Sequence, residues 1–185
     1  MTHQDRNDVW TLIPFLKTME KKLRFHYPSV TADSRSESED GYTYLREQKQ
    51  KPYINPQTCE KWKKRSFKQD ISKRENMEYD ETTDTYTCHA GKKLKLLFLK
   101  KQKSKSGYES EVMVYECEDC TGCPHKGTCT RAKGNKRLYV SKSFLEKRQE
   151  SYENIPSERG IFYRINRSIQ VEGAFRVLKN NYEFQ

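Results

Sequence analysis

Long apolar runs are missing from this sequence. No stretch approaches the roughly 18 apolar residues of a spanning helix, so nothing is expected to cross a membrane. The opening Met1-Thr2-His3-Gln4-Asp5 lacks the charged-then-apolar pattern of a signal peptide. A cytoplasmic chain is therefore expected, with cysteines that are reduced thiols or metal ligands rather than disulfides. Apolar residues make up only 33% of the 185 residues and charged residues 34%, which excludes a large dry core. There is no internal repeat at the roughly 20–50-residue periods of solenoids. Aromatics are not scarce: 12 Tyr, 8 Phe and 2 Trp make up 12% of the chain. Disordered chains are usually poor in aromatics, so a folded, small-cored protein is expected.

The charge balance is +10, from 36 basic and 26 acidic residues. A basic surface attracts polyanions, and neutralisation of phosphates by Lys and Arg is the sequence-independent part of DNA binding. A merely soluble surface would read the same way. Lys92 to Lys105 holds seven lysines and no acid. That stretch suits either a phosphate-contacting β-ribbon or an edge strand whose lysines guard against aggregation.

The pattern mixes helices and strands, an α/β (α+β) chain. Residues 7 to 25 show an amphipathic stripe of Val9, Leu12, Leu16, Met19 and Leu23. Asn7 or Asp8 could cap it, while Pro14 argues for a start nearer 12. Ser29 to Ala32 reads as a strand ending at Asp33, and Ser36 to Asp40 as a helix start. Lys51 to Pro56 reads as a short strand, and residues 57 to 84 as a loop. Strands are expected over 85–88, 93–101, 109–117 and 137–140, with a turn near Lys103 to Gly107. Ser141 or Ser143 could cap a helix reaching about residue 152. Ser157 and Glu158 open a longer one to about 181, with Ile161, Ile165, Ile169, Phe175 and Leu178 as its apolar face.

Cys117-x2-Cys120-x2-Cys123-x5-Cys129 is the strongest local motif. Four thiolates suit a tetrahedral structural zinc, and two-residue gaps let a tight turn aim paired sulfurs at one ion. Thr121, Gly122, Pro124 and Gly127 supply turn residues, and His125 is a substitute ligand. An iron–sulfur cluster is the rival, although the last gap is five rather than three. Four free thiols are the plain alternative. Cys59 and Cys88 have no close partners in sequence and read as spare or buried thiols.

The segment from Arg167 through Gln170-Val171-Glu172-Gly173-Ala174-Phe175-Arg176 to Lys179 closely resembles the catalytic-Glu helix of insertion-sequence transposases. These are the acidic-triad (DDE) enzymes, in the branch with a cysteine-rich insertion ahead of that helix. Glu172 is followed by Lys179 seven positions on, about two helical turns, which puts both on one face with Arg176 and Ser168 close by. Val30-Thr31-Ala32-Asp33 followed by Ser38-Glu39 resembles the segment carrying the family's second catalytic Asp. Arg35, Ser36 and Arg176 depart from residues common in the family.

The resemblance implies a partial ribonuclease-H-like core in residues 1–56 that carries Asp33. It implies a β-rich insertion at 57–140 containing the cysteine cluster, and carboxy-terminal helices at 141–185 carrying Glu172. Asp33 and Glu172 are the implied catalytic, Mg²⁺-binding acids of a two-metal site, and Lys179 and Arg176 the implied DNA contacts. Cys117, Cys120, Cys123 and Cys129 would hold a structural Zn²⁺. The implied partner is DNA, both transposon ends and target, with self-association open. The family's first Asp should precede Asp8, so the chain is expected to be a truncated carboxy-terminal portion, inactive by itself. The alternative is a non-catalytic, zinc-stabilised nucleic-acid-binding module.

Overall fold

The computed structural model describes residues 10–182, and the side chains of 175 and 178–182 lie outside that description. The expected cap at Asn7 or Asp8 and the stripe position Val9 therefore fall outside it, as do the side chains of Phe175, Leu178 and Lys179. The chain is α+β and forms two compact units, one from the residues up to Gln57 and from Glu146 onward, the other from Thr58 to Leu145.

In the first unit, α1 runs from Leu12 to Leu23. Pro14 sits in its first turn, where a missing N–H costs no helix bond. Arg24 stops the helix in the left-handed region at φ 50°, its N–H bonding to Glu20 O. Strand β1, Ser29–Ala32, leads through a 3₁₀ turn at Ser34–Ser36 into α2, Glu39–Glu47, and then β2, Lys51–Ile54. β1 and β2 are parallel, with Ser29 opposite Lys51 and Ala32 opposite Ile54. Ser38 caps α2: its Oγ accepts the Gly41 N–H at 3.0 Å. A side chain at Gly41 would start 2.9 Å from that oxygen, so only glycine leaves the cap undisturbed.

The outer edge of β2 is covered by side chains of α6, Lys142–Asn154. Ser151, fully buried, accepts the Ile54 N–H at 2.9 Å and donates to Ile54 O at 3.0 Å. Asn154 Nδ2 donates to Pro52 O at 3.0 Å. Pro52 thus stands at an edge position where its missing N–H leaves no gap in the ladder. Ser157 caps α7, Glu158–Tyr182, by accepting the Gly160 N–H at 3.1 Å. A Cβ at Gly160 would lie 2.3 Å from Asn154 O, so α7 leaves the preceding turn at a closeness that admits only glycine. Tyr163 meets the buried Tyr53 edge to face at 5.2 Å and docks α7 on β2.

The core here is Leu12, Tyr42, Leu45, Tyr53, Ile54 and Ile155. A buried Glu37–Arg148 ion pair at 2.7 Å joins it, and Glu37 also accepts the Gln57 N–H at 2.7 Å. The expected apolar face of α7 is largely uncovered: Ile165 and Ile169 are 54% and 63% exposed. A helical stripe shows where apolar groups align, not whether anything covers them.

The second unit is an antiparallel five-stranded meander. Its strands are β3 (Glu78–Asp80), β4 (Thr85–Thr87), β5 (Lys93–Lys103), β6 (Glu109–Cys117) and β7 (Arg137–Val140), paired in chain order. The interval expected to be loop contains two single-turn helices, α3 (Cys59–Trp62) and α4 (Arg65–Lys68), as well as β3. Met77, Tyr86, Leu94, Tyr115, Cys117, Cys120, Leu138 and Val140 form the core. Beyond it β5 and β6 continue as a two-stranded ribbon, with a register shift between Leu96 and Phe98. Leu96 to Leu99 are 43–54% exposed there. The ribbon closes through Ser104–Tyr108, where Gly107 adopts φ 87°. A further short helix, α5, spans Lys126–Cys129.

Candidate functional site

Asp33 follows the last residue of β1 and opens the 3₁₀ turn. Its carboxylate accepts from Ser34 Oγ at 3.0 Å and from the Arg35 N–H at 3.3 Å. Arg167 of α7 approaches it at 3.6 Å. Partial burial opposes ionisation of Asp33, but those two hydrogen bonds and the Arg167 charge outweigh it. The carboxyl is held below its ordinary range. A cavity of about 230 Å³ opens at this strand end, lined by Asp33, Tyr53, Asn55, Arg164 and Arg167 among others. Arg164 and Arg167, three residues apart on α7, both line this cavity, and Arg167 pairs with the carboxylate.

Glu172 is exposed on α7 and accepts from Ser168 Oγ at 3.1 Å, the i to i+4 contact that the shared helix face implies. From Arg167 it lies about 8 Å farther along the axis and about 140° around it. Arg167, which the motif did not single out as a partner of Asp33, is the α7 side chain that meets this acid. Arg176 is exposed on α7.

In the second unit a cavity of about 20 Å³ is lined by Cys88, Cys117, Cys120, Cys123 and Cys129, together with His89 and His125. Cys120 Sγ accepts the Lys136 N–H at 3.4 Å, and the Cys120 N–H bonds to Asn135 Oδ1 at 2.9 Å. Cys117 donates to Asp119 O at 3.8 Å. Burial, helped by contact with Cys120, pushes the Cys117 thiol up to about 12, and burial also raises Cys129. The His89 and His125 rings meet edge to face at 4.9 Å. No disulfide joins any cysteine.

Cys88 was the residue that linear spacing missed. Pairing would have found it: Tyr86 is opposite Leu94 and Leu94 opposite Cys117, so Cys88, two residues after Tyr86, falls on the face of Cys117. Among the described residues, no group of three or more His, Cys, Asp or Glu side chains stands ready-made as a metal site. The donor chemistry of the cysteine cavity, soft sulfur with flanking imidazoles, nonetheless suits zinc. The cavity at Asp33 is lined by one carboxylate, that of Asp33 itself; Glu172 is not among its lining residues.

No helix among the described residues is long and apolar enough to cross a membrane. Residues 87–185 match the model of a family described as a transposase DDE domain. No curated protein and no solved structure matches the chain.

Proposed function

This chain belongs to the transposase DDE domain family, and from that premise we propose that it acts on DNA. The chemistry is phosphodiester cleavage followed by strand transfer by the freed 3′-hydroxyl. Asp33 and Glu172 are two of the three carboxylates that such chemistry uses. The observation carrying this reading is the placement of Asp33 at the carboxyl end of a parallel strand, ion-paired to the helix that bears Glu172. A ribonuclease-H-like core accounts for the β1–α2–β2 unit followed by α6 and α7.

Asp33, held ionised, and Glu172 are the oxygen donors that would hold Mg²⁺. The ion would stabilise charge on the attacking and leaving oxygens of an in-line displacement. Arg164 and Arg167 line the same cavity and pair with a backbone phosphate. Arg176 and Lys179 contact DNA farther along α7. The cysteine cavity would hold a structural Zn²⁺, and reduced thiols with a DNA substrate fit a cytoplasmic protein.

Two carboxylates hold Mg²⁺ more weakly than three, so the chain by itself has little nicking activity. Supercoiled-plasmid nicking, with and without Mg²⁺, tests this. Strong Mg²⁺-dependent nicking that persists in Glu172→Gln would remove Glu172 from the chemistry. Strong nicking that disappears in Glu172→Gln would leave Glu172 catalytic and show that the chain needs no third acid.

A non-catalytic, zinc-stabilised nucleic-acid-binding module is favoured by one feature, the lysine-rich β5–β6 ribbon projecting beyond the sheet. Two β5 lysines already have acidic partners, Lys95 with Glu118 at 2.7 Å and Lys103 with Glu109 at 3.6 Å. This lowers the charge free for phosphate.

A further inference from the structure

We propose that Cys88, from the β4–β5 turn, is a zinc ligand, and that the ion is held by Cys88, Cys120, Cys123 and Cys129 rather than by the four consecutive cysteines of the motif. The inference rests on the zinc reading above and refines its ligand set.

Three segments deliver these sulfurs. Cys88 begins a tight turn: the Gly91 N–H bonds back to Cys88 O at 2.8 Å, and the Cys88 N–H bonds across to Lys92 O at 2.9 Å. Gly91 takes φ 75° there, a conformation that glycine adopts without strain. Cys120 and Cys123 flank a second turn, with Gly122 at φ 65° and the Cys123 N–H on Cys120 O at 3.4 Å. This is the geometry in which a two-residue gap aims paired sulfurs one way. α5 then brings Cys129 back, its N–H bonded to His125 O at 2.9 Å. All four line one cavity of about 20 Å³. That is close to the volume of a single small occupant.

Cys117 differs from these four. It is a strand residue paired in the β5–β6 ladder and 3% exposed; Cys120 shares its apolar core with Leu94, Tyr115 and Leu138, but not its place in a ladder. The Cys117 side chain belongs to the wall of the cavity. The other four sit on turns or a single-turn helix, where the backbone can adjust to bring the sulfurs together without breaking strand pairing.

A second observation points to an anionic centre. Lys136 lines the cavity, is 5% exposed, and directs its ammonium to two backbone carbonyls, Ser72 O at 2.9 Å and Cys129 O at 2.8 Å. Among the described residues no carboxylate pairs with it. A buried cation without a counter-charge is costly. Four thiols that each lose a proton to solvent as four Zn–S bonds form leave a centre of net charge −2, and that charge is the missing partner of Lys136. The backbone N–H of the same residue already points at Cys120 Sγ. Filled in this way, the site ties the β4–β5 turn to the loop after β6.

The test is zinc content by mass spectrometry, with a zinc-affinity titration and cobalt substitution on the full chain. Sulfur-to-cobalt charge-transfer intensity counts the Co–S bonds. The wild-type chain should bind one zinc per chain with four sulfur ligands. Losing even an outer partner of a metal ligand costs about 10–100-fold in affinity, so Cys88→Ser should cost at least about 100-fold. Cys88→His supplies a replacement donor: it should bind metal again, with one Co–S bond fewer, which shows that the chain still folds. Cys117→Ser and Cys59→Ser should bind as the wild type does. A Cys88→Ser chain with wild-type affinity and four Co–S bonds overturns the assignment of Cys88 alone. A wild-type chain that takes up no zinc overturns the zinc reading beneath it as well.

Discussion

Replacing Ser151 by Ala removes one oxygen and leaves two backbone groups without partners. The hydroxyl is fully buried, accepts the Ile54 N–H at 2.9 Å and donates to Ile54 O at 3.0 Å. Both groups lie on the edge of β2 that faces away from β1. A buried polar group stripped of its partner costs about 1–3 kcal/mol, so the two together cost about 2–6 kcal/mol. The same strand carries Tyr53 and leads to Asn55, both walls of the Asp33 cavity. Loosening its edge therefore reaches the site. Urea unfolding followed by circular dichroism measures the change; the midpoint should fall with little change in slope, since the surface exposed on unfolding is nearly the same. Asn154→Ala, which orphans only Pro52 O, should cost about half as much. A Ser151→Ala chain within about 0.5 kcal/mol of the wild type would mean that water, not α6, satisfies the edge of β2.

Three other perturbations follow from the same contacts. Glu37→Gln leaves the buried Arg148 guanidinium without its counter-charge, and breaking a buried pair from one side costs about 3–5 kcal/mol. Burial raises the Glu37 carboxyl above its ordinary 4.5, against the pull of the Gln57 N–H and Arg148. Between those two values the folded chain keeps a proton that the unfolded chain releases, so this group's contribution to stability falls as pH rises through that window. Glu37→Gln should abolish that slope in unfolding measured between pH 4 and 7. His26 bonds to Gln48 O at 2.7 Å and to Glu20 at 2.9 Å, and these contacts raise it above 6.5. Its stabilising effect is present below 6.5 and is lost as pH rises through the raised value; an NMR titration of the ring protons should show the elevated midpoint, and Glu20→Gln should lower it. Arg164→Ala with Arg167→Ala removes two phosphate partners, so the slope of log affinity against log salt for duplex DNA should flatten by about 1.8 in fluorescence anisotropy. An unchanged slope would clear both arginines of DNA contact.

Local pattern was enough for the long elements and not for what they touch. Arg137–Val140 alternates because it sets one side against a core, whereas Ser29–Ala32, half-buried throughout, is legible from its β-branched pair. Pro14 marks the start of α1 because its ring forbids a helical turn before it. The single-turn helices at Cys59–Trp62 and Arg65–Lys68 escape notice because four residues complete barely one period. The motif names Asp33 and Glu172, yet the pair that forms is Asp33 with Arg167, a meeting set by how α7 docks through Tyr163 and Gly160. Cys88 shows the same limit: gap counting sees cysteines adjacent in sequence, whereas strand register brings one in from another hairpin. The Ile165–Ile169 stripe is legible as a stripe, but its exposure is a property of the surrounding fold.

In the proposed chemistry Asp33 and Glu172 grip one divalent cation together. Paramagnetic broadening by substoichiometric Mn²⁺, read residue by residue in NMR spectra of the chain, tests this directly. Amide signals flanking Asp33 and those flanking Glu172 should broaden together, at the lowest Mn²⁺ added, and both effects should vanish in Asp33→Asn. Broadening at Asp33 that leaves the Glu172 segment of α7 sharp would contradict a shared ion, and with it the pairing of these two acids in catalysis.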